Sequence, residues 1–422
     1  MAVSGSGAAW TGRQPPSNGK MWPMRRRGQW ERARGAVTAF AVLPIVVGGA
    51  LTVSAAGGAE PAVRTVLASG ALDSPGGIAI DPAGDVFVAD TGHCRVAVVA
   101  AGNGRHYGVT LRAGRPVTIA GGHCGGTGSL GHPSALAVDL MGDVYVAEAS
   151  EQRVKVIQPT GVVANVAGTG AAGDGADGAV ASSAQLDEPT GLAVDHAGDL
   201  FIADTANCKV RVVPSANGSV LGRPVVRDHV YTVAGTGVCG SAGQGGPTGA
   251  AQLYDPVAVA VDVAGDLLVA GRGDQSVLLA PANGGTYYGT AVAAGDIGVV
   301  VGGTGSYGPY VADGLSATGV GAELNDVRGI AVGPSGALVM TDGFMHVIRV
   351  VPAQSGPLFG QAMSVGDLYT VAGALPVSTT AGSGNGTRWI ATHMGTPTGV
   401  AVTKSGSVVY SDAATGSVVR IR

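Results

Sequence analysis

The chain has 422 residues, of which 73 are glycine, 45% are hydrophobic, 13% are charged and 5% are aromatic. Its formal net charge of -4 argues against nucleic-acid binding, which requires a clustered basic face. Abundant glycine with little charge would indicate low complexity in a chain without a period, but here the glycines recur at the turns of a repeat. The composition therefore favours a folded repeat protein.

Residues 1–59 form an N-terminal extension with the pattern of a secretory signal. Five arginines between positions 25 and 34 precede an apolar run at 36–56, and small residues follow. We expect cleavage between Ala55 and Ala59, and hence a secreted or cell-envelope protein. The alternative is an uncleaved anchor, because the apolar run is long enough to span a bilayer.

Six similar segments follow, each with three short apolar runs separated by Gly-, Asp- or Asn-rich turns. Runs of four to six residues rich in Val, Ile and Leu, with turn residues between them, are typical of antiparallel strands. Repetition on this scale predicts a chain of small sheets that stack on one another. The segments begin at Pro75, Pro133, Pro189, Pro256, Val327 and Pro397.

A fourth strand completes each segment but the last. Related apolar runs ending in glycine occupy 117–121, 164–168, 231–235, 298–302 and 369–373, whereas the sixth segment ends at Arg422 without one. Residues 63–68 supply the missing strand. The sequence therefore predicts an all-β protein, a six-bladed β-propeller of four-stranded antiparallel blades over 63–422, in which the N-terminal strand closes the ring.

The repeated phrase resembles the NHL repeat. Its elements are P-x-G-[ILV]-A-V-D, then G-D-[LV]-[FY]-[IV]-A-D, then a polar triplet and R-V-x-V-[VI], and the Gly-rich linkers are similar to those of secreted bacterial NHL propellers. The resemblance covers roughly 63–422 and is strongest in the first three blades. Later blades depart from it at Gly271, Val327, Gly333 and Thr403, which puts in doubt any site that needs sixfold identity.

Four blades carry an insertion between the third and fourth strands, at 100–115, 214–229, 281–296 and 352–367. Each insertion has a bulky residue followed by glycine: Tyr107, Leu221, Tyr288 and Phe359. We expect each to form a small outer hairpin with a structural role, because function usually resides in loops that differ.

The four cysteines predict two disulfides. Cys94 and Cys208 begin third strands, whereas Cys124 and Cys239 follow fourth strands, so antiparallel pairing places each first cysteine beside its partner. Export would favour the bonds Cys94–Cys124 and Cys208–Cys239. A four-thiolate metal site is the less favoured alternative, because no C-x-x-C pair is present.

Acidic and histidine side chains offer two further hypotheses. The residues that end the second strands are interpreted as turn residues that satisfy backbone N–H groups: Asp90, Glu148, Asp204, Asp342 and Asp412. The acidic motif at 174–178 could suggest calcium, but the EF-hand spacing is missing. His93, His123 and His132 lie in loops at one end of the first blade and could hold a transition metal. A chance grouping of solvated histidines is the alternative.

No nucleophile motif is present, neither G-x-S-x-G nor H-E-x-x-H, and we predict no catalytic residue and no cofactor. The leading hypothesis is an exported, non-catalytic, monomeric scaffold that binds an extracellular protein or glycan through its long Gly-rich loops. The alternative is a secreted metal-dependent lyase or lactonase. The loops are 121–131, 169–187, 236–255, 304–326 and 374–396, and the last offers Arg388, Trp389 and His393 as interface residues.

Overall fold

The protein folds as a six-bladed β-propeller. The computed structural model describes residues 52–53, 64–68, 70–124, 130–303, 313–319, 322–373 and 394–422. All of these belong to one compact unit, Val46–Arg422, and the other unit is Met1–Ile45. No helix among the described residues is both long and apolar enough to cross a membrane.

Each blade is an antiparallel meander whose first strand lies nearest the axis. The first strands are Pro75–Ile80, Pro133–Val138, Pro189–Val194, Pro256–Val261, Val327–Val332 and Pro397–Val402. The second strands are Val86–Asp90, Val144–Glu148, Leu200–Asp204, Leu267–Gly271, Leu338–Asp342 and Val408–Asp412. The third strands are Arg95–Val99, Arg153–Ile157, Lys209–Val213, Ser276–Ala280, Val347–Val351 and Ser417–Ile421. The fourth strands are Pro116–Gly121, Val163–Ala167, His229–Ala234, Asp296–Gly302, Asp367–Ala372 and Arg64–Ala68.

The ring closes through the N-terminal strand, as the sequence predicts. Arg64–Ala68 pairs antiparallel with Ser417–Ile421, so the first described strands complete the last blade. Each first strand contacts the first strands of both neighbouring blades, and the strand at Pro397–Val402 contacts the one at Pro75–Ile80. Closure leaves no blade without a neighbour to cover its apolar faces.

Short two-residue strands outside the fourth strand were not predicted from the sequence. They are Ala179–Val180, Gly246–Pro247, Leu315–Ser316 and Thr52–Val53. The first three come from the linkers that enter the blades, so each linker pairs with the outer edge of its blade before it turns towards the axis. Thr52–Val53 lies within the segment predicted as an export signal and pairs with Thr65 and Arg64.

The remaining elements are small. Three 3-10 turns lie at Thr91–His93, Ala149–Glu151 and Ala181–Ser183. The four predicted outer hairpins are present, formed by Gly104–His106 with Val109–Leu111, Gly218–Val220 with Arg223–Val225, Gly285–Tyr287 with Thr290–Val292, and Gly356–Leu358 with Gln361–Met363. The bulky residue at each hairpin tip has a positive φ: Tyr107, Leu221, Tyr288 and Phe359.

The core is divided among the blade junctions. Within the described residues, the buried apolar side chains form six clusters, and each cluster joins two adjacent blades. Phe87 of the first blade, for example, packs in one cluster with Val144 and Ile157 of the second. A blade is only one sheet thick and cannot bury its own faces, so the apolar strands predict stacking rather than an isolated sheet.

Glycine at the end of the fourth strand is a steric requirement of the fold. Gly235 has φ +94°, and a Cβ there would clash with the carbonyl oxygen of Cys208, the residue that precedes the third strand. Gly373 makes the same approach to the carbonyl of His346. The repeated Ala-Gly ending in the sequence therefore marks a close contact between two strands of one blade.

Candidate functional site

The two faces of the propeller are built differently. On one face, short turns join the first and second strands, and Asp81, Asp139, Asp195 and Asp262 cap those turns. Each of these carboxylates accepts a hydrogen bond from the backbone N–H four residues later, at 2.8–3.0 Å. On the other face, the long linkers enter the first strands. We call this second surface the loop face.

Buried carboxylates hold the linkers of the loop face in place. In five blades the acidic residue that ends the second strand is fully or almost fully buried, and it accepts the N–H of the residue 17 positions earlier. The sequence interpretation of these residues as structural is confirmed, although their shared donor lies at the end of the incoming linker and not in the adjacent turn. The donor and acceptor pairs are Asp73 with Asp90, Gly131 with Glu148, Asp187 with Asp204, Asn325 with Asp342, and Gly395 with Asp412.

Blade four replaces this carboxylate by other means. Gly271 occupies the position, and the Asp274 carboxylate lies where a side chain at Gly271 would be. Asp274 accepts hydrogen bonds from the Gln244 amide at 2.7 Å and from the Ser276 hydroxyl at 2.8 Å. Burial raises the pKa of Asp274. A buried aspartate therefore also holds the linker of this blade, but it stands three residues after the position used in the other blades.

The acidic motif at 174–178 is paired with basic side chains. Asp174 lies 2.5 Å from the Lys209 amine and 2.9 Å from the guanidinium of Arg211, which is completely buried. Asp177 pairs with Arg223. Burial raises the pKa of Asp174, but the hydrogen bond and charge of Lys209, together with those of Arg211, outweigh this effect and hold it below its usual range. These contacts give the acidic residues a structural role in fixing linker 169–187.

Both predicted disulfides are present on the loop face. Cys94 is bonded to Cys124 and Cys208 to Cys239, each pair with a Cα–Cα distance of 5.2 Å. None of the four cysteines is free, so thiolate coordination has no ligands here.

The three predicted metal-binding histidines are not gathered into one ligand set among the described residues. The Nδ1 atom of His93 lies 3.0 Å from the Asp90 carboxylate. His132 lies within 4.8 Å of the sulfurs of Cys94 and Cys124, which are bonded to each other, and His123 does not belong to that group. Metal binding by these histidines stays a prediction.

An axial cavity of about 290 Å³ opens on the loop face. It is lined by the first half of all six inner strands and by two residues that follow second strands, Thr91 and Arg272. Glycines at 76, 77, 191, 329 and 399 widen it, and a Cβ at Gly191 would clash with the backbone of the next blade at Ala258. The described lining contains no Asp, Glu, His or Cys.

A belt of hydroxyl groups surrounds this cavity and joins the blades. At five junctions a Ser or Thr hydroxyl donates to a backbone carbonyl of the next blade; Thr205, for example, donates to Pro256 at 2.7 Å. Among the described residues, the junction between blades four and five has no such bond. The other donors are Thr91, Ser134, Thr190, Thr341, Thr398 and Ser411.

Comparison with known proteins identifies the repeat. The model of the NHL repeat family matches residues 72–99, which include the first three strands of blade one. The chain is an NHL-repeat β-propeller protein. Ninety residues of this NHL-repeat protein, 21% of the chain, are 39% identical to Protein SUPPRESSOR OF QUENCHING 1, chloroplastic, of Arabidopsis thaliana. The match covers only 8% of that plant protein.

Solved structures share the propeller fold at low sequence identity. A structural genomics protein of unknown function from Bacteroides thetaiotaomicron has a TM-score of 0.54 and 15% identity, over 85% of this chain and 71% of that one. An auxiliary nutrient binding protein from the same organism has a TM-score of 0.51 and 10% identity, over 83% and 69%. At these identities the likeness establishes the fold alone.

The interface residues predicted in the last linker, Arg388, Trp389 and His393, lie outside the described residues. Sequence reasoning missed the axial arginines, Arg272 and Arg328. Each stands at a repeat position that holds a small or hydroxyl residue in most other blades, so an alignment of the six segments would have singled them out.

Proposed function

We propose that this NHL-repeat protein is an exported, non-catalytic scaffold that binds an extracellular protein or glycan on its loop face, centred on the axial cavity. The observation that carries the proposal is the cavity itself. It opens among the linkers, and its described lining provides backbone, hydroxyl, apolar and guanidinium groups but no carboxylate or imidazole. Such a lining suits recognition of a ligand better than acid–base or metal chemistry.

The linkers give the loop face both variety and rigidity. Their sequences differ while the blades remain similar, which is typical of recognition loops on a constant scaffold. Linkers 169–187 and 236–255 are hydrogen-bonded to the fourth strands of their blades, as in the bonds Gly178 N–H to Val230 O and Gly245 N–H to Ile297 O. A surface that is ordered before binding loses little entropy when it binds.

Two further features support export and binding. Disulfides persist mainly in oxidising compartments, and both predicted bonds form here. The auxiliary nutrient binding protein from Bacteroides thetaiotaomicron has the same fold, so the scaffold is compatible with a binding role.

A pair of surface variants tests which face binds. Phe344 follows the second strand of blade five on the loop face and is 70% exposed, whereas Met141 lies in a short turn on the opposite face and is 81% exposed. The full chain would be screened against arrayed glycans and purified envelope proteins. We expect Phe344→Glu to weaken capture of the identified ligand about tenfold or more, because a charge is buried against it, and Met141→Glu to leave capture unchanged.

Equal effects of the two variants would contradict binding on the loop face. Turnover of a lactone or another substrate by the purified chain, dependent on an added divalent metal, would contradict the non-catalytic role. That outcome would favour the alternative of a metal-dependent lyase or lactonase.

The last linker supplies a second test from its sequence. Trp and Arg are frequent interface anchors, and Trp389 stands beside Arg388 in a stretch otherwise rich in Gly, Ser and Thr. We expect Trp389→Ala to make the binding free energy of the same ligand less favourable by about 2 kcal/mol or more, as measured by titration. Thr387→Ala is the matched control, and unchanged binding by Trp389→Ala would remove this linker from the binding surface.

A further inference from the structure

We infer that the axial cavity binds a small oxyanion, the carboxylate or phosphate group of a ligand, through Arg272 and Arg328. The inference rests on the proposed function and names the chemical group that the loop face recognises. It concerns two residues from adjacent blades that are far apart in the chain and line the same cavity.

Both arginines interrupt the repeat pattern. Arg272 follows the second strand of blade four, at the position where Thr91 and Thr205 donate to the next blade in blades one and three. Arg328 is the second residue of the inner strand of blade five, at the position of Thr190 and Thr398. A repeat protein needs no charge at these positions for folding, because the other blades have Gly, Ala, Ser, Thr or Val there.

Among the described residues, Arg272 lies at the gap in the hydroxyl belt. Within the described residues, no hydroxyl bond links blades four and five, where Arg272 and Val257 replace the donors found in blade three. At this junction the described residues therefore lack the inter-blade hydroxyl bond, and a guanidinium lies at the cavity in its place.

A hydrogen bond to a carboxylate orients each guanidinium, and each has further N–H donors. Arg272 donates from Nε to the Asp255 carboxylate at 2.8 Å, and Arg328 donates from Nε to Asp326 at 2.6 Å. These bonds hold each guanidinium, while the terminal nitrogens make no hydrogen bond to any of the described residues. The side chains are 51% and 41% exposed, so a ligand can reach them. Paired terminal N–H groups match a carboxylate or phosphate in two parallel hydrogen bonds.

The rest of the lining favours an anion with a small polar body. The cavity of about 290 Å³ is at the lower end of the range for small-molecule sites and accommodates a ligand about the size of a sugar acid. Threonine and serine groups and glycine backbone surround it, and no carboxylate among the described lining residues would repel an anion. The counterions Asp255 and Asp326 orient the arginines without lining the cavity.

Titration calorimetry on the full chain tests the inference with three probes: glucuronate, glucose and inorganic phosphate. Glucuronate and glucose differ at one carbon, a carboxylate replacing a hydroxymethyl group, so the pair isolates the charge. We expect glucuronate or phosphate to bind at one site per chain and glucose to bind about tenfold more weakly or not at all, with affinity for the anion falling as salt rises. The better of the two anions identifies the group as a carboxylate or a phosphate.

Substitutions assign the binding to the two arginines. We expect Arg272→Met and Arg328→Met each to lower the affinity for the anion about tenfold or more. Each substitution keeps the apolar bulk of the side chain but removes the N–H donors. Lysine at either position should restore part of the affinity, since it keeps the charge without the paired donors. Arg227→Met is the matched control, because Arg227 is 67% exposed, pairs with its neighbour Asp228 and does not line the cavity.

Two results would overturn the inference: no saturable binding of either anion, or binding that survives both methionine substitutions. Either result differs from failure of the proposed function. A protein that captures its ligand on the loop face without competition from the anion still supports the scaffold role. A protein that binds the anion through these arginines but captures no macromolecule supports the anion site alone.

Discussion

At the scale of single residues, Asp204 combines burial with three hydrogen-bonding or charged neighbours. Its carboxylate accepts the Asp187 N–H at 2.7 Å and the Asn207 amide at 2.9 Å, and Arg211 lies 3.8 Å away. Burial is the largest influence and raises its pKa to about 6, although these partners act to lower it. The residue therefore ties the incoming linker to blade three at the cost of desolvating a carboxylate.

The raised pKa predicts a pH-dependent stability. Between pH 4 and 6 the folded protein binds the Asp204 proton more tightly than the unfolded chain does, so the free energy of unfolding falls as pH rises through this window. We expect Asp204→Asn to remove a decline of roughly 2 kcal/mol between pH 4 and pH 6. Urea unfolding of wild type and variant across this range measures the difference.

Other carboxyl groups also titrate in this window, so the comparison needs a control at another aspartate. Asp228→Asn is suitable because its carboxylate is 72% exposed. If Asp204→Asn and Asp228→Asn give parallel pH profiles, Asp204 does not titrate as described.

At the scale of elements, the outer hairpins of blades one and four are hydrogen-bonded to the next blade. The Tyr288 ring is buried at the tip of the blade-four hairpin, and its hydroxyl donates to the carbonyl of Gly336 in blade five at 2.9 Å. Tyr107 makes the same bond from blade one to Gly142 in blade two, at 2.8 Å. The repeated bulky residue before glycine thus marks a contact between blades.

Removing one of these hydroxyls should cost a modest amount of stability. We expect Tyr288→Phe to lower the free energy of unfolding by about 1 kcal/mol, since the ring stays packed and one buried hydrogen bond is lost. Chemical denaturation of the full chain checks this value. Tyr287→Phe is the control, because the Tyr287 hydroxyl bonds to Asn283 and Asp266, both in its own blade and not in the next one. A larger loss from Tyr287→Phe would contradict the role assigned to Tyr288.

The disulfides act on single blades. The bond between Cys208 and Cys239 spans 31 residues and joins the start of the third strand of blade three to the linker beyond its fourth. By the loop-closure argument, replacing both cysteines with serine should lower the free energy of unfolding by about 3 kcal/mol. Urea unfolding with and without a reductant provides the measurement. Sensitivity of the double variant to reductant equal to that of wild type would mean that this bond does not stabilise the blade.

At the scale of the whole molecule, stability depends on a closed ring of junctions. The cluster between blades six and one includes Ala68 of the N-terminal strand together with Val99 and Val418. Without Arg64–Ala68, the third strand of the last blade, Ser417–Ile421, would lose its outer neighbour and present an unpaired edge.

Truncation tests the closure directly. We expect a chain that begins at Gly70 to be less stable than the full chain by on the order of 5 kcal/mol, and to associate through the open edge. A chain that begins at Val46 keeps the strand and is the matched control, since Met1–Ile45 is a separate unit. Thermal unfolding and size-exclusion chromatography compare the two. Equal stability and a monomeric state for both would show that the strand is dispensable.

The sequence by itself determined the architecture, because its information is local and is repeated six times. Strand-length apolar runs, turn residues and the missing fourth strand of the last segment predict the blades and their closure. The disulfide pairs Cys94–Cys124 and Cys208–Cys239 follow from strand order, because antiparallel neighbours bring known positions together.

Tertiary structure alone decided which side chains meet across blades and linkers. Asp204 was interpreted as a residue of its own turn, yet its carboxylate also holds a linker residue 17 positions earlier. Arg272 and Arg328 are ordinary surface residues in the sequence but line one cavity in the fold. The physical reason is that the distances between these groups depend on how the blades stack around the axis. No pattern within a single repeat specifies that geometry.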